Sequence, residues 1–156
     1  MNTSTNSNIS QDFILAGKAI FTVSNDKGEH HTFKVVGKKS ADGKSIDCHF
    51  VSLLTGADNM RSYTYVGMIR KNTTVVVATA KTQPSHLHAI KVVNFAIRCA
   101  DGGSQELPVG YALQHIGKCG RCGKPLTTPK SLFWGLGESC LKKVMPYGVP
   151  ELHKVA

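Results

Sequence analysis

Apolar and polar residues alternate through the first half of the chain with the two-residue period of half-buried strands. Ala19, Phe21 and Val23 interleave with Lys18, Ile20 and Thr22, and Phe33 and Val35 share a face in the run from His31 to Val36. Between them Asn25-Asp26-Lys27-Gly28 carries turn chemistry, so the two runs predict an antiparallel hairpin. Gly37 to Lys44, with Asp42-Gly43, reads as the next turn. Ser45 to Leu54 predicts a third strand with Ile46, Cys48 and Phe50 inward and Asp47 and His49 outward. Ser62 to Arg70 predicts a fourth, with Tyr63, Tyr65 and Ile69 on one side and Val66 and Met68 on the other. The β-branched run Thr73 to Ala80 suits a central strand.

At Gln83-Pro84-Ser85 the period changes. Ser85 can cap a helix whose apolar stripe runs through Leu87, Ala89, Ile90, Val93, Phe95, Ala96 and Ile97, with Lys91, Asn94 and Arg98 outward. Ala100-Asp101-Gly102-Gly103 ends it. Pro108 to Ile116 is extended again and places Val109, Tyr111, Leu113 and His115 on one face. The expected fold is α+β: an antiparallel β-rich layer, one helix packed on it, and, where Cys119, Cys122 and Cys140 supply thiols at metal-ligand spacing, a C-terminal zinc-binding module. The expected division is a flexible Asn/Ser/Thr tail (1–10), a β-rich region with one helix (11–108), the zinc-binding module packed on it (109–148) and a C-terminal tail (149–156).

The composition supports a real core, with 41% hydrophobic residues among 156. No apolar run approaches the length of a membrane span. The first residues lack the basic start and apolar centre of a signal peptide, so a cytoplasmic protein without a membrane partner is expected. Five cysteines in that compartment read as metal ligands and buried thiols rather than disulfides. Net charge is +9, and residues 118–156 carry seven Lys/Arg against two Asp/Glu. That skew points to an acidic partner, nucleic acid first; a solvated Lys face is the plain alternative.

The candidate chemistry lies in HIGKCGRCGKPLTTPKSLFWGLGESC, residues 115–140. Cys119 and Cys122 form a C-x2-C pair, Cys140 follows, and His115 precedes them, enough to close a tetrahedral zinc shell. His153 is the alternative fourth ligand. A glycine follows each cysteine of the pair, as a tight knuckle turned toward the sulfurs requires. Ser131 to Gly137 reads as a loop carrying Trp134, and Ser139-Cys140 opens a short helix reaching roughly Met145, where Pro146 stops it. Cys48 and Cys99 read as core thiols.

With H-x3-C-x2-C-G-x-x-L-T, P-x-S and G-x-G-x-x-C, residues 115–140 resemble a zinc-ribbon or treble-clef-like module of uncharacterised function found in small bacterial and phage proteins. The upstream FILAGKAIFTV and LTGADN…YTYVG stretches resemble the β-rich part that precedes such modules. The resemblance implies zinc on Cys119, Cys122, Cys140 and His115, and no enzymatic activity.

The leading expectation is a non-catalytic protein that contacts nucleic-acid phosphates through Lys118, Arg121, Lys124, Lys130, Lys142 and Lys143. The second is a protein-interaction module, such as a phage inhibitor of a host nuclease or defence factor, using Trp134 or Tyr111. A zinc hydrolase would need a general base, and Glu138 is the carboxylate nearest in sequence. Among the remaining polar residues, His30 and His31 read as exposed strand positions, His86 and His88 as capping or polar-face residues, and Asp58 as a turn residue. Tyr63 and Tyr65 read as core or cross-strand pairs, with a base-stacking platform as the functional alternative.

Overall fold

The computed structural model describes residues 9–57 and 61–144. Asp58, Asn59, the helix stop at Met145-Pro146, and His153 therefore lie outside the described residues.

The architecture is α+β, with a curled, fully antiparallel sheet. Its strands are β1 (Lys18–Asn25), β2 (His30–Lys39), β3 (Ile46–Leu54), β4 (Tyr63–Arg70), β5 (Val76–Val77) and β6 (Tyr111–His115), in the order β5-β4-β3-β2-β1-β6. The first hairpin forms as the alternation predicts: Phe21 faces Phe33, and Ala19 faces Val35. All four are fully buried. Helix α1 (Gln11–Ile14) precedes the sheet, and α2 (Leu87–Cys99) packs Ala89, Val93, Ala96 and Ile97 into the same core.

Several local expectations are corrected. In β3 the buried residue is Val51, while Phe50 is 39% exposed and Ile46 and Cys48 are half-buried. The inward face is thus the one opposite to that expected, and His49 sits on it, bonded to the Leu15 carbonyl at 2.9 Å. A bulge explains the mixed pattern of β4: Val51 pairs with Gly67 and Ser52 with Tyr65, leaving Val66 as the extra residue. Val66 and Ile69 are consequently both buried although their spacing is odd.

The run 73–80 yields only the two-residue edge strand β5 rather than a central one. Asn94 of α2, expected to face outward, claims its backbone instead. The Val76 amide donates to Asn94 Oδ1 at 2.7 Å, and Asn94 Nδ2 donates to the Val76 carbonyl at 3.0 Å. Ser85 caps nothing, because a 3-10 turn over Pro84–His86 precedes α2. Finally, Ile9 and Ser10, expected in the flexible tail, pack onto the fold. Ile9 is buried and Ser10 caps α1 by accepting from the Phe13 amide, while the Gln11 amide donates to the Asp101 carbonyl at 2.9 Å.

Residues 117–144 fold onto this layer through a shared core. Phe13, Phe21 and Val93 belong to the same hydrophobic cluster as Cys119, Trp134, Leu136, Cys140 and Leu141. Strand β6 carries the chain there, pairing its Leu113 with Val23 and its His115 with Phe21.

Candidate metal centre

The C-x2-C segment closes a small hairpin. The Cys119 amide donates to the Lys124 carbonyl at 2.8 Å, the Leu126 amide to the Gly117 carbonyl at 2.8 Å, and Lys118 bridges Pro125. Its two glycines serve different ends. Gly123 takes φ +81°, which glycine alone adopts without strain. Gly120 has no such dihedral; a Cβ there would lie 2.6 Å from two ring carbons of Phe13. Gly120 is there for close approach, not for a turn.

The segment expected to be a loop contains helix α3 (Pro129–Trp134). Thr128 caps it, accepting from the Ser131 amide at 3.2 Å, Pro129 occupies its first turn, and Gly135 ends it at φ +73°. Thr-Pro before and Gly after an apolar stretch are helix boundary signals present in the sequence. Helix α4 (Glu138–Val144) follows and carries Cys140.

These pieces bring the sulfurs of Cys119, Cys122 and Cys140 within 4.8 Å of one another. Tetrahedral zinc at about 2.3 Å per thiolate needs about 3.8 Å between sulfurs, so closure asks for small side-chain adjustments only. The three thiols can therefore hold a metal ion. Cys119 and Cys140 are buried and Cys122 is half-buried.

The surroundings prepare Cys119 as a thiolate. Burial alone would push its thiol up, but amides of Gly137, Cys122 and Arg121 outweigh that and bring it from 9.0 to about 7. Two of these contacts are Arg121 N–H at 3.4 Å and Cys122 N–H at 3.5 Å from Cys119 Sγ. Burial pushes the Cys140 thiol up; the Arg121 guanidinium, 3.8 Å from Cys140 Sγ, opposes this, and Cys119 and Cys122 reinforce it. A metal ion supplies the positive charge that would let all three ionise together.

His115 departs from the expected ligand set. It lies outside the group of mutually close ligand atoms, and both ring nitrogens are engaged. Nδ1 accepts from the Gly117 amide at 2.9 Å, and Nε2 donates to the Leu132 carbonyl at 2.5 Å. The ring also rests against Phe13, with centroids 5.8 Å apart. Its work is to tie β6 to α3, which positions the hairpin beside Cys140. The described residues thus provide three ligands.

Trp134 is also reassigned. At 3% exposure, edge-on to Phe133 with centroids 5.1 Å apart, it is a core residue and not a displayed anchor. The basic residues divide. Arg121, Lys124 and Lys143 line a cleft of about 420 Å³ together with the three cysteines, whereas Lys118, Lys130 and Lys142 do not line it. Glu138 lines the same cleft and is the only carboxylate among the described residues that does.

Beyond the metal cluster, His31, expected to be exposed, is half-buried, with its ring centroid 5.9 Å from that of His88, which stays exposed on the polar face of α2 as expected. His86 stands at the N-cap of α2 but its side chain makes no capping bond.

A family of unknown function (DUF6011) matches residues 114–145, a span that contains all three cysteines. No curated protein and no solved structure matches the chain. None of the described helices is long and apolar enough to cross a membrane.

Proposed function

We propose that this chain is a small, non-catalytic zinc-binding protein that engages nucleic acid through the basic surface around its cysteine cluster, in the cytoplasm of a bacterial or phage-infected cell. Zinc is the ion that a cluster of three thiols selects in a reducing compartment. One observation carries the partner: Arg121, Lys124 and Lys143 converge on the cleft that the cysteines line. Folding the last quarter of the chain around an ion therefore also gathers cations into one place, where they can neutralise phosphates. The runner-up, an inhibitor of a host nuclease or defence factor, loses Trp134 as an anchor because that ring is buried, and keeps Tyr111, which is exposed.

The test is fluorescence anisotropy of the zinc-loaded protein with single-stranded and duplex oligonucleotides across a salt series. Three phosphate contacts to a single strand give a log–log slope of about −2. Lys124→Gln with Lys143→Gln should make it shallower by about 1.4. Absence of binding at low salt would end this reading, and so would a metal content of zero in the purified protein.

A further inference from the structure

The outer face of the sheet, turned away from α2, carries a second set of features that the cysteine cluster does not use. In an antiparallel sheet with one buried face, the other is solvated and should be polar. Here the cross-strand row Lys18–Val36–Phe50–Met68 runs over four strands, and the next is Ile20–Lys34–Ser52–Tyr65. Tyr63 stands further along β4, opposite Leu54. Phe50, a large apolar ring at 39% exposure, sits in the middle of this face. Tyr65 lies beside it, with ring centroids 6.4 Å apart, and is held by a bond of its hydroxyl to Thr79 Oγ1 at 2.9 Å. Lys34 places its Nζ 5.4 Å above the Tyr63 ring.

The charge at the paired positions of this face has one sign; Asp47, the carboxylate within β3, is left unpaired at the bulge by Lys38 and Lys39. Lys18, Lys34, Lys38 and Arg70 occupy its paired positions, and no Asp or Glu occupies a paired position on any strand. The face also runs into the cysteine hairpin: the Lys18 amide donates to the Gly120 carbonyl at 2.6 Å, and a Cβ on Gly123 would lie 3.8 Å from the Lys18 side chain. A second copy of the chain is a poor occupant, since it would set these cations against their own kind. A polyanion with flat, unpaired bases answers both the rings and the charge.

We infer that this face is a binding platform for single-stranded nucleic acid, with Phe50 and Tyr63 stacking on bases and Lys18 and Lys34 contacting the phosphates between them. Phe50 and Leu54, the partner of Tyr63, are four residues apart on β3, about 13 Å at the rise of a strand. Lys34 lies between the two rings, across from Ser52. The strand would enter at the cysteine hairpin by Lys18 and cross the sheet toward Tyr63. This inference rests on the nucleic-acid reading above and gives it a strand preference and a path.

The experiment uses the full, zinc-loaded chain with two readouts. An oligonucleotide bearing 5-iodouracil is irradiated with the wild-type protein, and the cross-linked peptides are identified by mass spectrometry. Cross-links should fall on Phe50, Tyr63 or Tyr65. In anisotropy, Phe50→Thr and Tyr63→Thr, which remove the ring but put a strand-favouring β-branched residue in its place, should each weaken single-strand binding about 10-fold or more with the salt slope unchanged. Lys34→Gln should make the slope shallower by about 0.7. Duplex binding should not respond to the ring variants. Cross-links confined to residues 117–144, with unchanged affinity in folded ring variants, would overturn this inference while leaving the cysteine-end reading intact. Self-association of the protein through this face in sedimentation would overturn it as well. Failure of the wild type to bind any oligonucleotide would remove both.

Discussion

Adding one methyl group at Gly120 tests how the cysteine hairpin is joined to the sheet. The new Cβ would stand 2.6 Å from Cδ1 and Cε1 of Phe13 and 3.1 Å from the Phe13 carbonyl oxygen. Carbon atoms in ordinary contact are about 3.5–4.0 Å apart, so the overlap is about 1 Å against two atoms at once. The ring cannot yield. It is fully buried, it is close to the backbone at Gly135, where a Cβ would meet it at 2.7 Å, and the His115 ring lies against it. Overpacking of this kind costs about 1–3 kcal/mol. For a chain of this size each kcal/mol lowers the melting temperature by about 2–4 °C, so Gly120→Ala should melt about 2–12 °C lower. The informative experiment is a double-mutant cycle with Phe13→Ala. Removing the ring alone should cost about 3–5 kcal/mol. In that background the methyl enters the space the ring leaves, so the second substitution should cost little or help. Chemical denaturation of the four zinc-loaded proteins gives the coupling energy directly. Costs that add to within about 0.5 kcal/mol would refute the account of Gly120 as a close-approach glycine.

Three further outcomes are expected. Chelating the metal should loosen residues 117–144 and expose Trp134, read as a red shift of its emission and a lower melting temperature, because this small segment holds few buried side chains of its own. Zinc affinity should fall as pH falls: Cys119 becomes protonated below about 7 and Cys140, pushed up, already holds its proton there, so each further unit should weaken binding by at least about 100-fold in a chelator competition. Replacing Asn94 by Ala should strip both bonds from the Val76 backbone, cost about 1–3 kcal/mol, and abolish hydrogen-exchange protection at the Val76 amide.

What the sequence determined by itself was whatever a local period or a short spacing encodes. The hairpin of β1 and β2 follows from alternation plus a turn, and α2 follows from an apolar stripe of helical spacing. The three cysteines were legible because metal ligands are few in kind and the hairpin that presents two of them is local. The Thr-Pro and Gly that bound α3 were equally local, and could have been read as a helix.

Tertiary structure decided what depends on partners far along the chain. A bulge at Val66 changes which residues face inward, and a period of two cannot register an extra residue. Asn94 turned from a solvated helix position into the clamp that ends the sheet because Val76 lay opposite it. His115 has the spacing of a ligand, yet its nitrogens were claimed by Gly117 and Leu132, the latter in a helix that the spacing does not reveal. Spacing states which groups can reach a common point; only the packed fold determines which of them still have a lone pair to offer there.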